Sequence, residues 1–242
     1  MIYILQTVMP LQEEFERQGL FFTKYKNLPN IILITLITVN LQPGINLKGL
    51  FFKPIHLSGM YIAICAIVSL SGLFLALYTA GYSMSSTSTF KLIANDINAF
   101  NTTAAYSVVR HPMHIANFFF WLGPMLLSCN FWFIISFCLI FLIYTERAII
   151  AEEKILRTIF GYRYVKWCKK VPAIFPNLFI FKKATQKFSF GNTYTYVKQK
   201  FTSIIIVLSL FVINTDIAEQ KVYNYVVITL CILCIPVLLV KK

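Results

Sequence analysis

Acidic residues are scarce in this chain. Nine Asp and Glu stand against 22 Lys and Arg in 242 residues, and only 13% of all residues carry charge. A soluble globular domain is about one quarter charged, so an ordinary water-facing fold is excluded. Histidine is rarer still, with three. His111 and His114 are spaced i, i+3, but no His, Asp or Cys cluster in the sequence completes a tetrahedral set, and no metal is expected. A Gly-rich nucleotide fingerprint is also missing. A secretory leader is not expected either, because the short apolar start lacks basic residues and runs into Glu13, Glu14 and Glu16. The six cysteines read as small packing residues rather than a disulfide framework, and the Cys231-x-x-Cys234 pair lies in an apolar run with no second ligand pair.

Apolar residues fill the gap. They make up 58% of the chain, with a mean hydropathy of +0.70, and they are gathered into long runs, the pattern of a chain whose solvent is a bilayer. Residues 57–82 would rise about 39 Å as a helix and residues 131–150 about 30 Å, each enough to cross. Residues 115–129 precede the second run, with Cys129-Asn130 as the expected turn of a helical hairpin. Residues 222–240, kinked near Pro236, form another span, and 29–45 and 201–214 are shorter ones. The expected fold is therefore all-α, a polytopic membrane bundle of about six transmembrane helices. It divides into residues 1–97 (two spans and a loop), 98–178 (a core built on the hairpin) and 179–242 (a linker and two further spans).

The net charge of +13 follows the membrane, so nucleic acid is not the expected partner. Residues 146–200 hold more than half of the 22 Lys and Arg, which assigns this stretch to the cytoplasmic side. The hairpin then returns residues 83–112 to the same side, and both termini fall inside.

Two polar stretches thus meet at one membrane face. One ends in Arg110-His111-Pro112, and the other carries Arg147, Glu152 and Glu153. Ile149, Ile150, Ile155, Leu156, Ile159 and Phe160 recur at helical spacing, so the second span continues as a helix along the surface, where Gly161 is placed to break or cap it. Ionisable groups at membrane depth mark function by default. Arg and Pro suit the lip of a cavity better than a span. At about 22 Å, the helix after the lip is short for a bilayer core.

The stretches NTTAAYSVVRHPMH and ERAIIAEEKILRTIFGYRYVKWCKKVPAIFP resemble the isoprenylcysteine carboxyl methyltransferase and phospholipid methyltransferase superfamily over about residues 98–176. The matching residues run in order through Tyr106, Arg110, His111, Pro112, Arg147, Glu152, Glu153, Leu156, Phe160, Gly161, Tyr164 and Pro176. Where the family usually has Tyr, Gly and Tyr, this chain has His114, Ala104-Ala105 and Trp167. The resemblance implies an integral membrane enzyme that uses S-adenosylmethionine. It implies that residues around Asn101, Tyr106, Arg110, His111 and Pro112, with Glu152 and Glu153, surround the cofactor, and that Arg147 faces the acceptor. The acceptor class it implies is amphiphilic: a lipid headgroup, a lipid-linked phosphate or an isoprenylcysteine-like carboxylate. Two other readings stand beside it. One is an NADPH-dependent sterol-type reductase, whose family has a similar Arg-His-Pro hairpin. The other is a non-catalytic membrane protein, although no repeat or paired broken helices favour a transporter.

The charge asymmetry makes a topological prediction. Single cysteines replacing Asn95 and Phe190 should react with an impermeant thiol reagent from the same side of the membrane; labelling from opposite sides would contradict the assignment.

Overall fold

The computed structural model describes residues 11–24, 59–83, 101–129 and 131–218. The expected spans at 29–45 and 222–240, most of the 83–112 loop, His56, the Cys231/Cys234 pair and both termini lie outside the described residues. Among those described, the protein is all-α with no strand. Its helices are α1 (Leu11–Lys24), α2 (Gly59–Gly81), the single turn α3 (Ala105–Val108), α4 (Pro112–Leu126), α5 (Phe131–Cys168) and α6 (Phe190–Ala218), with a 3-10 turn at Leu178–Ile180.

Two of these, α2 and α5, are long and apolar enough to cross a membrane, with hydropathies of 2.3 and 2.0 over their most apolar windows. Only 22% of each window is buried, whereas the core helix of a soluble protein would be mostly covered. The uncovered side of α2 is a stripe at helical spacing, Met60, Ile64, Ile67, Leu70 and Phe74, and that of α6 includes Phe190, Tyr194, Phe201, Ile205 and Leu208. Continuous apolar stripes of this length suit lipid rather than water.

The opposite face of α2 carries small residues, and α4 lies antiparallel against it at close range. A Cβ on Gly72 would collide with the backbone nitrogen of Phe120 and reach 2.6 Å from the carbonyl of Ala116. A Cβ on Gly123 would fall 2.5 Å from the carbonyl of Cys65 and 2.6 Å from Ser69 Cβ. Hydroxyls secure the contact: Ser69 donates to the carbonyl of Phe120 at 2.8 Å and Tyr61 to that of Leu126 at 2.8 Å. Small residues with interhelical hydrogen bonds are how helices associate where lipid tails are as apolar as leucine.

Helix α4 starts at Pro112, three residues before the expected 115, and contains Pro124. The reversal after it ends at Cys129, whose φ is 50°, and α5 runs back. Helix α6 starts at 190, well before the expected 201, because its first turns also have something to bury: Tyr196 packs with Ala76, Ala80 and Ala116. Farther along, Ile206 and Val207 join Phe120, Trp121, Met125 and Phe137 in the main apolar cluster. Helix α5 breaks at Gly161, with φ 50° and ψ −127°, where the sequence places a stop.

Helix α1 is an element the sequence reading did not anticipate. It packs antiparallel on α5: Glu16 pairs with Lys154, and the Phe22 ring meets that of Tyr144 at 5.2 Å. A Cβ on Gly19 would reach 2.7 Å from Ala151 Cβ and 2.9 Å from the carbonyl carbon of Arg147.

The α2–α4 contact yields a stability prediction. Gly123→Val should cost about 1–3 kcal/mol through overpacking against the α2 backbone, seen as a lower melting temperature in detergent, whereas Gly59→Ala, which meets nothing within 4 Å, should leave it unchanged.

Candidate active site

Proline at position 112 organises the junction. It occupies the first position of α4, where its missing N–H costs nothing, and it disfavours helical backbone at the residue before. His111 accordingly sits at φ −122° and ψ 61°, following extended Val109. This extended entry brings Arg110 and His111 against α5, where Glu152 and Glu153 lie a little over two turns short of the Gly161 break.

Together with His114 they form one network of five side chains. Arg110 Nη1 donates to Glu153 Oε1 at 2.7 Å. His111 Nε2 lies 3.2 Å from the same oxygen, and its Nδ1 lies 3.4 Å from Glu152 Oε2. His114, one turn along α4, places Nε2 3.3 Å from Glu152 Oε2. A His ring facing carboxylates through both nitrogens satisfies both only as the imidazolium. Burial works against that charge, but the hydrogen bonds and fields of Glu152 and Glu153 outweigh it and hold His111 above its ordinary value. Removing one member of such a buried set leaves its partners unpaired, which costs about 3–5 kcal/mol.

The remaining expected site residues divide by how they are used. Arg110 is fully committed, since Nε donates to the carbonyl of Val171 at 2.7 Å and Nη2 to that of Cys168 at 3.2 Å. Asn101 is committed to backbone as well: Nδ2 donates to the carbonyl of Tyr82 at 2.8 Å, and Oδ1 accepts from the Thr103 amide and hydroxyl, clasping the loop to the end of α2. Tyr106, on α3, is half-buried, and burial together with the Glu152 carboxylate pushes its phenol up to about 12. It therefore stays a neutral hydroxyl. Both imidazole contacts of Glu152 run through Oε2.

Arg147 is not brought into the network. Its guanidinium carbon lies 3.2 Å from the ring centroid of Phe15 on α1, an arginine-over-aromatic contact. Its Nη1 is 3.6 Å from Glu146, yet Nε and Nη1 are buried without a hydrogen-bond partner among the described residues. On the other side of α5 the buried Thr145 hydroxyl also lacks a partner among them. It is two turns from Glu152 on the same helix face.

Two features escaped the sequence reading. His114, noted there as a departure and as the i, i+3 partner of His111 in an incomplete metal set, shares the Glu152 carboxylate, and the ligating atoms of His111, His114 and Glu152 all lie within 4.8 Å of one another. The carbonyls of Cys168, Val171 and Pro172 hold Arg110; the prolines at 172 and 176 signalled the end of the helix but not this contact. The loop also contains strain. Ala104 has φ 54° and ψ −131°, a region suited to glycine, at the place where the family resemblance expects Gly.

Comparison with known proteins adds to this geometry. Residues 60–163 match the phospholipid methyltransferase family. A methanethiol S-methyltransferase of Crocosphaera subtropica is 36% identical over 86 residues, covering 35% of this chain and 31% of the relative. A protein-S-isoprenylcysteine O-methyltransferase of Schizosaccharomyces pombe is 35% identical over 75 residues, covering 31% of this chain and 32% of the relative. The chain thus spans about a third of the length of the curated relatives it matches. No solved structure matches. The family match takes in α2, the hairpin and both arms of the charged network, so over residues 60–163 the chain is similar to the phospholipid methyltransferase family.

Proposed function

We propose that this protein is an integral membrane methyltransferase that uses S-adenosylmethionine and acts on an amphiphilic acceptor at the cytoplasmic face. The observation that carries the reading is the Arg110–His111–His114–Glu152–Glu153 network at the inner end of the hairpin, inside a segment of a methyltransferase family.

The residues present fit such a cofactor. Its amino-acid tail is a zwitterion and its ribose a diol. Glu152 keeps Oε1 clear of its imidazole contacts, so it can accept from an ammonium or a hydroxyl. Tyr106 offers a neutral phenol and an aromatic face, which attracts a cation. Arg110 and Asn101 support the site from behind, because their polar groups are already spent on backbone and Glu153. S-adenosylmethionine, when bound, supplies a methyl group on a sulfonium centre. The chain's task is to orient the reacting partners in line and exclude water.

For the acceptor, Arg147 is the proposed holder of an anionic oxygen. A guanidinium with two buried nitrogens that lack hydrogen bonds among the described residues is an incomplete site, and its planar fork suits a carboxylate or phosphate. An anionic acceptor needs such a cation and no strong base, whereas an amine must first lose a proton. The relatives' names give two acceptors, protein S-isoprenylcysteine and methanethiol. A lipid headgroup or lipid-linked phosphate is the class proposed here, in keeping with the family matched.

Calorimetry on the detergent-purified protein tests the cofactor. S-adenosylhomocysteine should bind and NADPH should not; the reverse would make the protein a reductase. Glu152→Gln should weaken S-adenosylhomocysteine by about 1.5–3 kcal/mol, the worth of a hydrogen bond to a charged group, and unchanged affinity in a folded variant removes Glu152 from the site. For the acceptor, Arg147→Lys should abolish methyl transfer to a lipid extract while S-adenosylhomocysteine affinity stays near wild type, because an ammonium cannot reproduce the bidentate fork. Near-normal turnover would mean that Arg147 only anchors α1.

A further inference from the structure

Beyond the charged junction, the most unusual surface is the stretch that follows α5. Between Pro172 and Lys183, Phe175 is 85% exposed, Leu178 74%, Phe179 fully and Phe181 about half. Four large apolar side chains projecting from so short a stretch demand a cover.

The display is ordered. Asn177 caps the 3-10 turn, its Oδ1 accepting from the Phe179 amide at 3.1 Å, and Pro172 and Pro176 restrict the backbone. The stretch is also stitched to the loop that carries Tyr106, Arg110 and His111. Ala104 N donates to the carbonyl of Lys182 at 3.0 Å, Asn177 N to that of Val108 at 3.1 Å, and Arg110 N to that of Pro172 at 2.9 Å. The Lys182 amide donates to Ser107 Oγ at 2.9 Å.

Two observations identify the cover. The first is charge. Lys169, Lys170, Lys182 and Lys183 flank the apolar cluster and are exposed, and no acidic residue occurs between Glu153 and Asp216. The second is level. The stretch leads into Ser189, whose amide donates to the carbonyl of Gly81 at 2.8 Å, and Phe188 meets Tyr82 at 5.3 Å. Its other end is bonded to Arg110, beside the start of α4. It therefore lies level with the end of α2, a helix long and apolar enough to cross a membrane, where the bilayer interface begins.

We propose that residues 172–183 are an interfacial anchor for a bilayer with anionic headgroups, in which Phe175, Leu178, Phe179 and Phe181 enter the acyl boundary and Lys182 and Lys183 meet lipid phosphates. Phenylalanine beneath and lysine above is the arrangement by which amphipathic segments lie in an interface, and anionic lipid draws clustered lysines. Through its hydrogen bonds to residues 104–110, the anchor transmits its seating to the loop of the candidate site. The inference does not depend on the methyl-transfer reading, because its test requires no activity.

The full-length chain, with its native cysteines replaced and an environment-sensitive fluorophore on Phe179→Cys, is placed in nanodiscs of phosphatidylcholine alone or mixed with phosphatidylserine. Emission should shift to the blue and be quenched by lipids spin-labelled just below the headgroup, more strongly with phosphatidylserine. Lys182→Gln/Lys183→Gln should remove that lipid preference. Emission typical of water, or quenching indifferent to phosphatidylserine, overturns the proposal; so does blue-shifted emission that no spin-labelled lipid quenches, the result expected if a protein surface is the cover. Hydrogen exchange on the unaltered chain is the second measurement. The Ala104, Asn177 and Arg110 amides should exchange several-fold more slowly with phosphatidylserine present, and equal rates in both nanodiscs overturn the coupling to the loop.

Discussion

The pairing of Arg110 and His111 with Glu153 and Glu152 is the constraint on which the charged end of the hairpin depends. Helix α4 is held chiefly by α2, through glycines and hydroxyls, whereas α5 is covered on another side by α1. Where the two arms of the hairpin reach the charged end, the polar network joins them. A carboxylate pair this close to a bilayer would be unfavourable without cations to match it, and the extended backbone before Pro112 is what delivers those cations.

This dependence explains the division of labour among the polar residues. Arg110 and Asn101 are used up in making the loop, each satisfied by backbone carbonyls or amides. Glu152, His114 and Tyr106 are less fully engaged. Arg147 belongs to a second locale, defined by α1. The charged network and the Arg147–Phe15 contact thus lie on different faces of α5.

The sequence made some of this legible and hid the rest, for physical reasons. The long runs at 57–82 and 131–150 are visible because a bilayer demands continuous apolarity, and the structure has helices over both. Gly161 was legible because glycine tolerates the left-handed backbone that breaks α5. The early start of α6 was not, because residues 190–200 are polar on average and only Tyr196 among them is deeply buried. Helix α1 was hidden for a related reason: its register rests on Glu16 with Lys154 and Gly19 against Arg147, contacts between residues far apart in the chain that no local periodicity reports. The meeting of Arg110 with the Glu152-Glu153 pair was legible in outline, because a hairpin returns both charged stretches to one end, but the choice of Glu153 as its partner was not. The carbonyls that hold Arg110 could not be read at all, since every residue has one.

Ala104 has a consequence for how the protein is made. Its glycine-like backbone is opposed by a Cβ, and the bonds that hold the loop around it in place come from Pro172, Asn177 and Lys182, emerging from the ribosome long after the loop itself. During synthesis, residues 104–110 must wait, with these partners absent, until both arms of the hairpin and the stretch beyond them have been made. The candidate site is consequently among the last parts of this region to take shape, and a chain stopped short of Lys182 would contain the residues of the network without the frame that aligns them.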